Sequence, residues 1–268
     1  MTIPVDTIDH FDVIPVRVND AIETRMILDT GIGLTVLSKE LCARARCETS
    51  GQYTGRRMSG QSISVPLARV ASMTVGTHRA AAVQVGVIDA AALLPPGVDG
   101  IVSLGLFEHV PFTVDHVGRT LTIEDLTSLK RRRESGQVVP VRIERDSASV
   151  TLFMSMEVPN GPPLELEIDT GSRSLILDER YMSRLGIRRD SPSVKRVEGT
   201  DETSHTYVRY FTTIAGSIHP TGAPSLRQTN PKVMFQQIIY DGLVGRGFLE
   251  SFAVTYDLPG SQIVLGPR

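Results

Sequence analysis

The triplet Asp-Thr-Gly occurs twice in this chain, as Asp29-Thr30-Gly31 and Asp169-Thr170-Gly171, 140 positions apart. Each lies inside a longer match, R-M-I-L-D-T-G-I-G-L-T-V-L-S around the first and L-E-I-D-T-G-S-R-S-L-I-L-D around the second. Downstream, V-D-G-I-V-S-L-G-L-F-E at 98–108 corresponds to Y-D-G-L-V-G-R-G-F-L-E at 240–250, an offset of 142. Both copies then reach an aspartate (Asp115, Asp257), a turn and a closing strand. A third landmark pairs Arg69…Gly76 with Arg209…Gly216. One D-T-G arises by chance in roughly one chain in twenty of this length. Three landmarks in one order at a nearly constant offset mean a duplicated unit.

The patterning is that of strands. V-T-L-F-M-S-M-E-V at 150–158 puts Val150, Leu152, Met154, Met156 and Val158 on one face, and L-E-L-E-I at 164–168 alternates with Glu165 and Glu167 turned outward. N-G-P-P at 160–163 makes the hairpin turn between them. The first half repeats this arrangement as F-D-V-I-P-V-R-V, Asn19-Asp20 and R-M-I-L, so each D-T-G follows the second strand of a hairpin. Short helices are expected after each, one capped by Ser38 and ending near Cys47, the other capped by Asp178 and ending at Gly186. The polar stretch 127–137 contains four consecutive basic residues and reads as a solvated join. It divides the chain into units 1–127 and 138–268, with a linker at 128–137.

Composition removes several classes of function. Lys plus Arg is 28 and Asp plus Glu is 30, a net charge of −2, which gives no electrostatic reason to bind nucleic acid or an anionic membrane. No apolar run approaches the ~18 residues that span a bilayer. The first fifteen residues carry three Asp and no Lys or Arg, unlike a secretory signal, so a cytoplasmic location is expected. Cys42 and Cys47 are the only cysteines. On one helix they would stand about 7.5 Å apart, too far to bridge comfortably, so they read as free thiols. The six histidines are scattered and no nucleotide or serine-hydrolase motif is present, so neither a metal nor a cofactor is expected.

An aspartate placed just after a buried strand needs a partner, and no Lys or Arg stands at a matching place in either repeat. Two such loops related by a pseudo-twofold can instead set Asp29 and Asp169 side by side. Carboxylates in contact cannot both ionise cheaply, so they share a proton, and one is a base while the other is an acid. Such a pair can activate a water to attack a peptide carbonyl while the protonated partner polarises its oxygen. Gly31 and Gly171 let backbone amides come close to the carboxylates. Asp89, Asp99 and Asp241 stand in turns or beside glycines and read as structural.

D-T-G-I-G, D-T-G-S-R-S, D-G-I-V-S-L-G and D-G-L-V-G-R-G together resemble a two-lobed aspartic protease with retropepsin-like halves, over roughly residues 11–125 and 140–266. The resemblance implies an all-β, bilobal acid-protease fold, two pseudo-twofold-related β-barrel lobes with a cleft between them. It implies Asp29 and Asp169 as the catalytic pair, Thr30 and Thr170 hydrogen-bonded across the lobe interface, and Ser172 hydrogen-bonded to Asp169. Ile101-Val102 and Leu243-Val244 would thread past the two active-site strands. A flap is implied in 51–64, where Tyr53, Gly55 and Gly60 would cover substrate; Tyr53 read by itself fits a sheet edge equally well. The segment 195–207 of the second half is charged, carries only Gly199, and looks less like a lid. Two residues depart from the family pattern, Ile32 where a small residue stands and Ser103 where glycine stands.

The expected activity is hydrolysis of extended polypeptides by a monomer. At a cytoplasmic location the pair would work nearer neutral pH than a secreted acid protease, without an optimum below about pH 4. The rival readings are a peptide-binding module with an impaired first site and a homodimeric adaptor on the same fold.

Overall fold

The computed structural model describes residues 1–89, 94–200 and 205–268. The chain is built almost wholly of strands, with a few short helices. The two halves follow one strand order. In the first, neighbours run Phe11–Val18, Ile22–Leu28, Gly100–Val102, Val36–Ser38, His78–Ile88, Ser62–Val75, Glu48–Arg56. In the second they run Ser149–Glu157, Leu164–Asp169, Gly242–Gly245, Leu175–Asp178, Lys232–Gln236, Thr206–Thr213, Lys195–Thr200. The D-G-hydrophobic-hydrophobic segments lie parallel to the strands that end in D-T-G, Leu28 opposite Val102 and Ile168 opposite Val244. Ile101-Val102 and Leu243-Val244 therefore thread past the two D-T-G strands as the family resemblance implied.

The halves meet in a shared sheet. Phe112–Asp115 pairs antiparallel with Ala253–Asp257, so that Thr113 faces Thr255 and their hydroxyls lie 2.7 Å apart. These two threonines are equivalent in the repeat, which marks the pseudo-twofold axis. The Phe112 and Tyr256 rings stack beside it at 4.9 Å. One apolar cluster runs from Ile14, Val16 and Met26 through Phe112 and Tyr256 to Leu166, Ile168 and Val244. Each such fully buried side chain contributes about 1.5–3 kcal/mol, so the loops carrying Asp29 and Asp169 hang from strands anchored on their inner face.

Several local expectations change. The helices after the D-T-G loops are shorter than their caps imply. Ser38 accepts the Leu41 amide at 2.9 Å, but the helix is only Lys39–Arg44; Asp178 caps a single 3₁₀ turn, Glu179–Tyr181. The basic stretch, read as a solvated join, is mostly exposed and forms a helix, Leu126–Ser135, closed by an Asp125/Ser128 capping box. Its Leu129 is buried, Arg132 pairs with Glu124 at 3.0 Å, and Arg133 pairs with Asp257 at 2.6 Å.

Cys42 and Cys47 are bonded rather than free. The helix stops at Arg44, and Arg46 in the left-handed region (φ 50°) turns the chain back, so the Cys47 amide donates to the Cys42 carbonyl at 3.0 Å. That turn brings the Cα atoms to 5.2 Å, inside bridging range. Disulfides persist in oxidising surroundings, so the two cysteines no longer speak for a reducing compartment. Closing so short a loop constrains the unfolded chain by about 2 kcal/mol. Urea unfolding with and without dithiothreitol should show a loss of about that size, and Cys42→Ser should be insensitive to the reductant. A native chain indifferent to dithiothreitol would remove the bond from the account.

Glu167, expected outward, is only 5% exposed. It stands across from Phe153 on the adjoining strand, and its sheet face is covered rather than solvated. Period-two alternation identifies the two faces of a strand but not what lies over the second one.

Candidate active site

The two D-T-G loops meet at the axis. The Thr30 amide donates to the Thr170 hydroxyl and the Thr170 amide to the Thr30 hydroxyl, both at 3.0 Å. Each hydroxyl passes its own proton to the far strand, Thr30 to the Ile168 carbonyl at 2.7 Å and Thr170 to the Leu28 carbonyl at 3.4 Å. Both threonines are buried. The strands that carry the aspartates are therefore tied to each other by a closed ring of four hydrogen bonds.

Asp29 and Asp169 face one another across this ring. The Gly171 amide donates to Asp29 Oδ1 at 3.2 Å and to Asp169 Oδ1 at 2.9 Å, so one N–H lies between the two carboxyl groups. Asp29 also accepts the Gly31 amide at 2.8 Å, and Asp169 the Ser172 amide at 3.2 Å. A methyl group on Gly31 would overlap the Asp169 carboxylate, and one on Gly171 would overlap that of Asp29. Glycine is required here for close approach, since neither residue has positive φ.

Burial raises the affinity of both carboxyls for a proton. For Asp169 the charge of Asp29 adds to burial and pushes its pKa up to about 8. For Asp29 burial is opposed by the amides of Gly31 and Gly171 and by the hydrogen bond from Asp169, which leaves it the more easily ionised member. The arrangement holds one proton on two carboxyls, and the pair titrates as a unit.

The remaining residues singled out by sequence fall in and around this site. The Ser172 hydroxyl does not reach Asp169. It turns to the Ser174 carbonyl at 3.4 Å, and the backbone of Ser172 makes the contact instead. Ile32 supplies no hydroxyl to Asp29, yet that carboxyl keeps its two amide donors. Ser103 is buried and shares a hydrogen bond with Thr35 at 3.1 Å, whereas at the equivalent Gly245 a Cβ would stand 2.5 Å from the Ser172 carbonyl.

The hairpin of Glu48–Arg56 and Ser62–Val75 reaches over to the second half. At its tip the Met58 carbonyl accepts the Ile239 amide at 2.9 Å, Gly60 (φ 85°) turns the chain against the Ile239 side chain, and Met58 packs on Ile176, Met234, Ile238 and Leu243. The Tyr53 ring folds over Gly55, which has no room for a Cβ. In the second half Tyr207 covers Gly199 in the same way, while residues 201–204 of that segment lie outside the described residues. Asp99 and Asp241 brace equivalent corners, their carbonyls accepting the Ser38 and Asp178 amides at 2.8 and 2.9 Å. Asp89 pairs with Lys39 at 3.1 Å.

Two sets of residues escaped sequence reasoning. His10 Nε2 lies 3.0 Å from the Gly171 carbonyl, and Arg246 pairs with Asp12 at 3.1 Å while donating to the His10 carbonyl. Buried Asp12 also holds His116. This group ties the first half to the second directly behind the second D-T-G loop. Its one sequence signal is that Arg246 occupies the position of Leu104 in the first copy. Glu167 is the other, two residues before Asp169 on the same face. Among the described residues no group of three His, Cys, Asp or Glu side chains converges as a metal site, and no helix is long and apolar enough to cross a membrane.

A family model described as aspartyl protease matches residues 14–106, a segment containing Asp29 but not Asp169. No curated protein is matched by sequence. Solved structures match over nearly the whole chain at low identity. Basic 7S globulin from soybean has a TM-score of 0.57 at 10% identity, covering 99% of this chain and 93% of that one. Conglutin gamma, a basic 7S globulin from lupine seeds, has 0.54 at 12%, covering 100% and 95%. The protein edgp has 0.56 at 9%, covering 100% and 94%. At such identities the likeness is one of fold, the two-lobed aspartic-protease-like architecture, all-β with a cleft between the lobes.

Proposed function

We propose that the chain is an aspartic endopeptidase that hydrolyses extended polypeptides with a water held between Asp29 and Asp169. The observation that carries this reading is the single Gly171 N–H between the two carboxyls, which places them within reach of one shared proton. Asp29, the more readily ionised member, takes a proton from the water as it attacks the peptide carbonyl. Asp169, holding the shared proton, gives it to the carbonyl oxygen as negative charge develops there; when the C–N bond breaks, Asp29 passes the proton it took from water to the leaving nitrogen and Asp169 recovers one from the gem-diol hydroxyl, which restores the pair. The closed Thr30–Thr170 ring supplies rigidity, so neither carboxyl must reorganise during the reaction. The hairpin carrying Tyr53, Gly55 and Gly60 would lie over the substrate, bound as an added strand. Both aspartates come from one chain, so a monomer suffices.

The singly protonated pair persists up to about pH 8, the alkaline limit that Asp169 sets. Cleavage of an unstructured peptide library across pH 3–8 tests the reading. Asp29→Asn and Asp169→Asn should each lower kcat/KM by about 10³-fold or more while the chain stays folded. Activity retained in either variant would remove the shared-proton mechanism. A native chain that binds peptides but cuts none would favour the binding-module reading, for which Ile32 and Ser103 are the motive.

A further inference from the structure

Glu167 is a buried carboxyl without a partner. Among the described residues it makes no hydrogen bond and no ion pair, although its neighbours are all engaged. Glu165 pairs with Arg142 at 3.5 Å, Glu144 also bonds Arg142, and Asp169 holds the Gly171 and Ser172 amides. The guanidinium of Arg142, on the strand that flanks Phe153, is spent on those two glutamates and on the Phe153 ring, 4.2 Å from its centroid. Glu167 shares the cleft face of its strand with Asp169, two residues on, while Leu166 and Ile168 fill the core face. Its surroundings are aromatic. Phe153 stands directly across, Tyr240 meets Phe153 edge-on at 5.3 Å, and Tyr53 of the overlying hairpin lies near enough to act electrostatically on Tyr240.

A carboxyl removed from water and left unpaired is destabilising, and sequence offers many apolar residues that would fill the same space without that penalty. Glu167 stands two residues from Asp169 with Phe153 directly across and Tyr240 near enough to feel its charge, a negative group set among aromatic side chains, the combination that recognises a cation. The nearby charges are of one sign. Burial, then the charges of Asp169, Asp29 and Glu144, raise the affinity of the Glu167 carboxyl for a proton. An arriving ammonium or guanidinium would reverse that balance, which no apolar side chain can do.

We infer that Glu167 is a specificity-determining residue, the base of a subsite that takes a Lys or Arg side chain of the polypeptide substrate at one of the residues flanking the bond cut. This rests on the proposed endopeptidase reading for its substrate class. The distance along the strand supports the placement, since residues i and i+2 are separated by about 6.6 Å, close to the spacing of alternate side chains in an extended substrate bound alongside.

The test uses the full chain and matched peptides that differ only in carrying Lys or its uncharged analogue norleucine next to the cleavage site. The native protein should prefer the Lys peptide by about tenfold or more in kcat/KM. Glu167→Gln should bring the ratio close to one, whatever it does to either rate alone, and Glu167→Asp should keep a reduced preference for Lys. A native ratio near one, or a preference that survives Glu167→Gln, overturns the subsite. Failure of the endopeptidase reading is distinguishable by fluorescence anisotropy of the same two peptides. Tighter binding of the Lys peptide that depends on Glu167, with neither peptide cut, keeps the subsite and removes the hydrolase; cleavage of both peptides at equal rates does the reverse. Should Glu167→Gln fail to fold, the native comparison and Glu167→Asp still decide.

Discussion

Asp169→Asn should melt at a higher temperature than the native chain at pH 8, and at nearly the same temperature at pH 4. In the folded protein the Asp169 carboxyl titrates at about 8, against 3.8 for an unperturbed aspartate. Between those values the folded chain keeps a proton that the unfolded chain has released. Stability contributed by this group is therefore complete below about pH 4 and declines as the pH rises toward 8. Asparagine has no proton to lose, and its carbonyl can still accept the Gly171 amide, so the variant escapes the decline. The Asp29 charge loses its closest repulsion at the same time, because the pair titrates together. Scanning calorimetry at pH 4, 6 and 8 should show the gap opening with pH, reaching about 5 °C or more at pH 8 for a chain of this size. Equal melting at pH 8 would mean that neither burial nor the charge of Asp29 raises the Asp169 pKa in the folded chain. Together with the activity loss expected of the same variant, the result would show a site held at a cost to stability for the sake of its chemistry.

The second large effect belongs to the ring between the loops. Thr30→Val removes the acceptor of the Thr170 amide and the donor to the Ile168 carbonyl, leaving two buried backbone groups unsatisfied. The expected loss is about 2–6 kcal/mol by urea unfolding. Thr30→Ser keeps the hydroxyl and should recover most of it. Thr170→Val should do less damage, because the bond from Thr170 to Leu28 is long, at 3.4 Å, while that from Thr30 to Ile168 is 2.7 Å. A Thr30→Val protein as stable as Thr30→Ser would show that the ring orients the loops without holding the lobes together.

Much of the architecture is written in the repeat itself. Two copies of a strand hairpin ending in D-T-G, each followed at a set distance by D-G and two apolar residues, can satisfy their inward faces only by adopting one topology twice. The pairing of Leu28 with Val102 and of Ile168 with Val244 is what the family resemblance implies, and the duplication makes it occur twice. The meeting of Asp29 and Asp169 was legible for the same reason, since a twofold brings equivalent residues to its axis. Local rules did less well where a neighbouring segment intervenes. Ser38 caps a helix as its position implies, but Arg46 ends the turn early and carries Cys47 back to Cys42. The basic run at 130–133 is pinned in part by Glu124 and Asp257, one close in sequence and one 124 residues away.

The sequence by itself therefore determined the duplication, the strand-rich class and the identity of the two aspartates, because those depend on pattern and on symmetry. Only the tertiary structure decided what covers Glu167, which groups stand behind the second loop, and where the tip of the first hairpin rests. Those outcomes depend on surfaces brought together from distant parts of the chain, His10 on Gly171 and Met58 on Ile239 among them. Alternation along a strand says that a residue points away from the core. Whether it then meets water or aromatic side chains is settled by segments that pack over it from elsewhere in the chain.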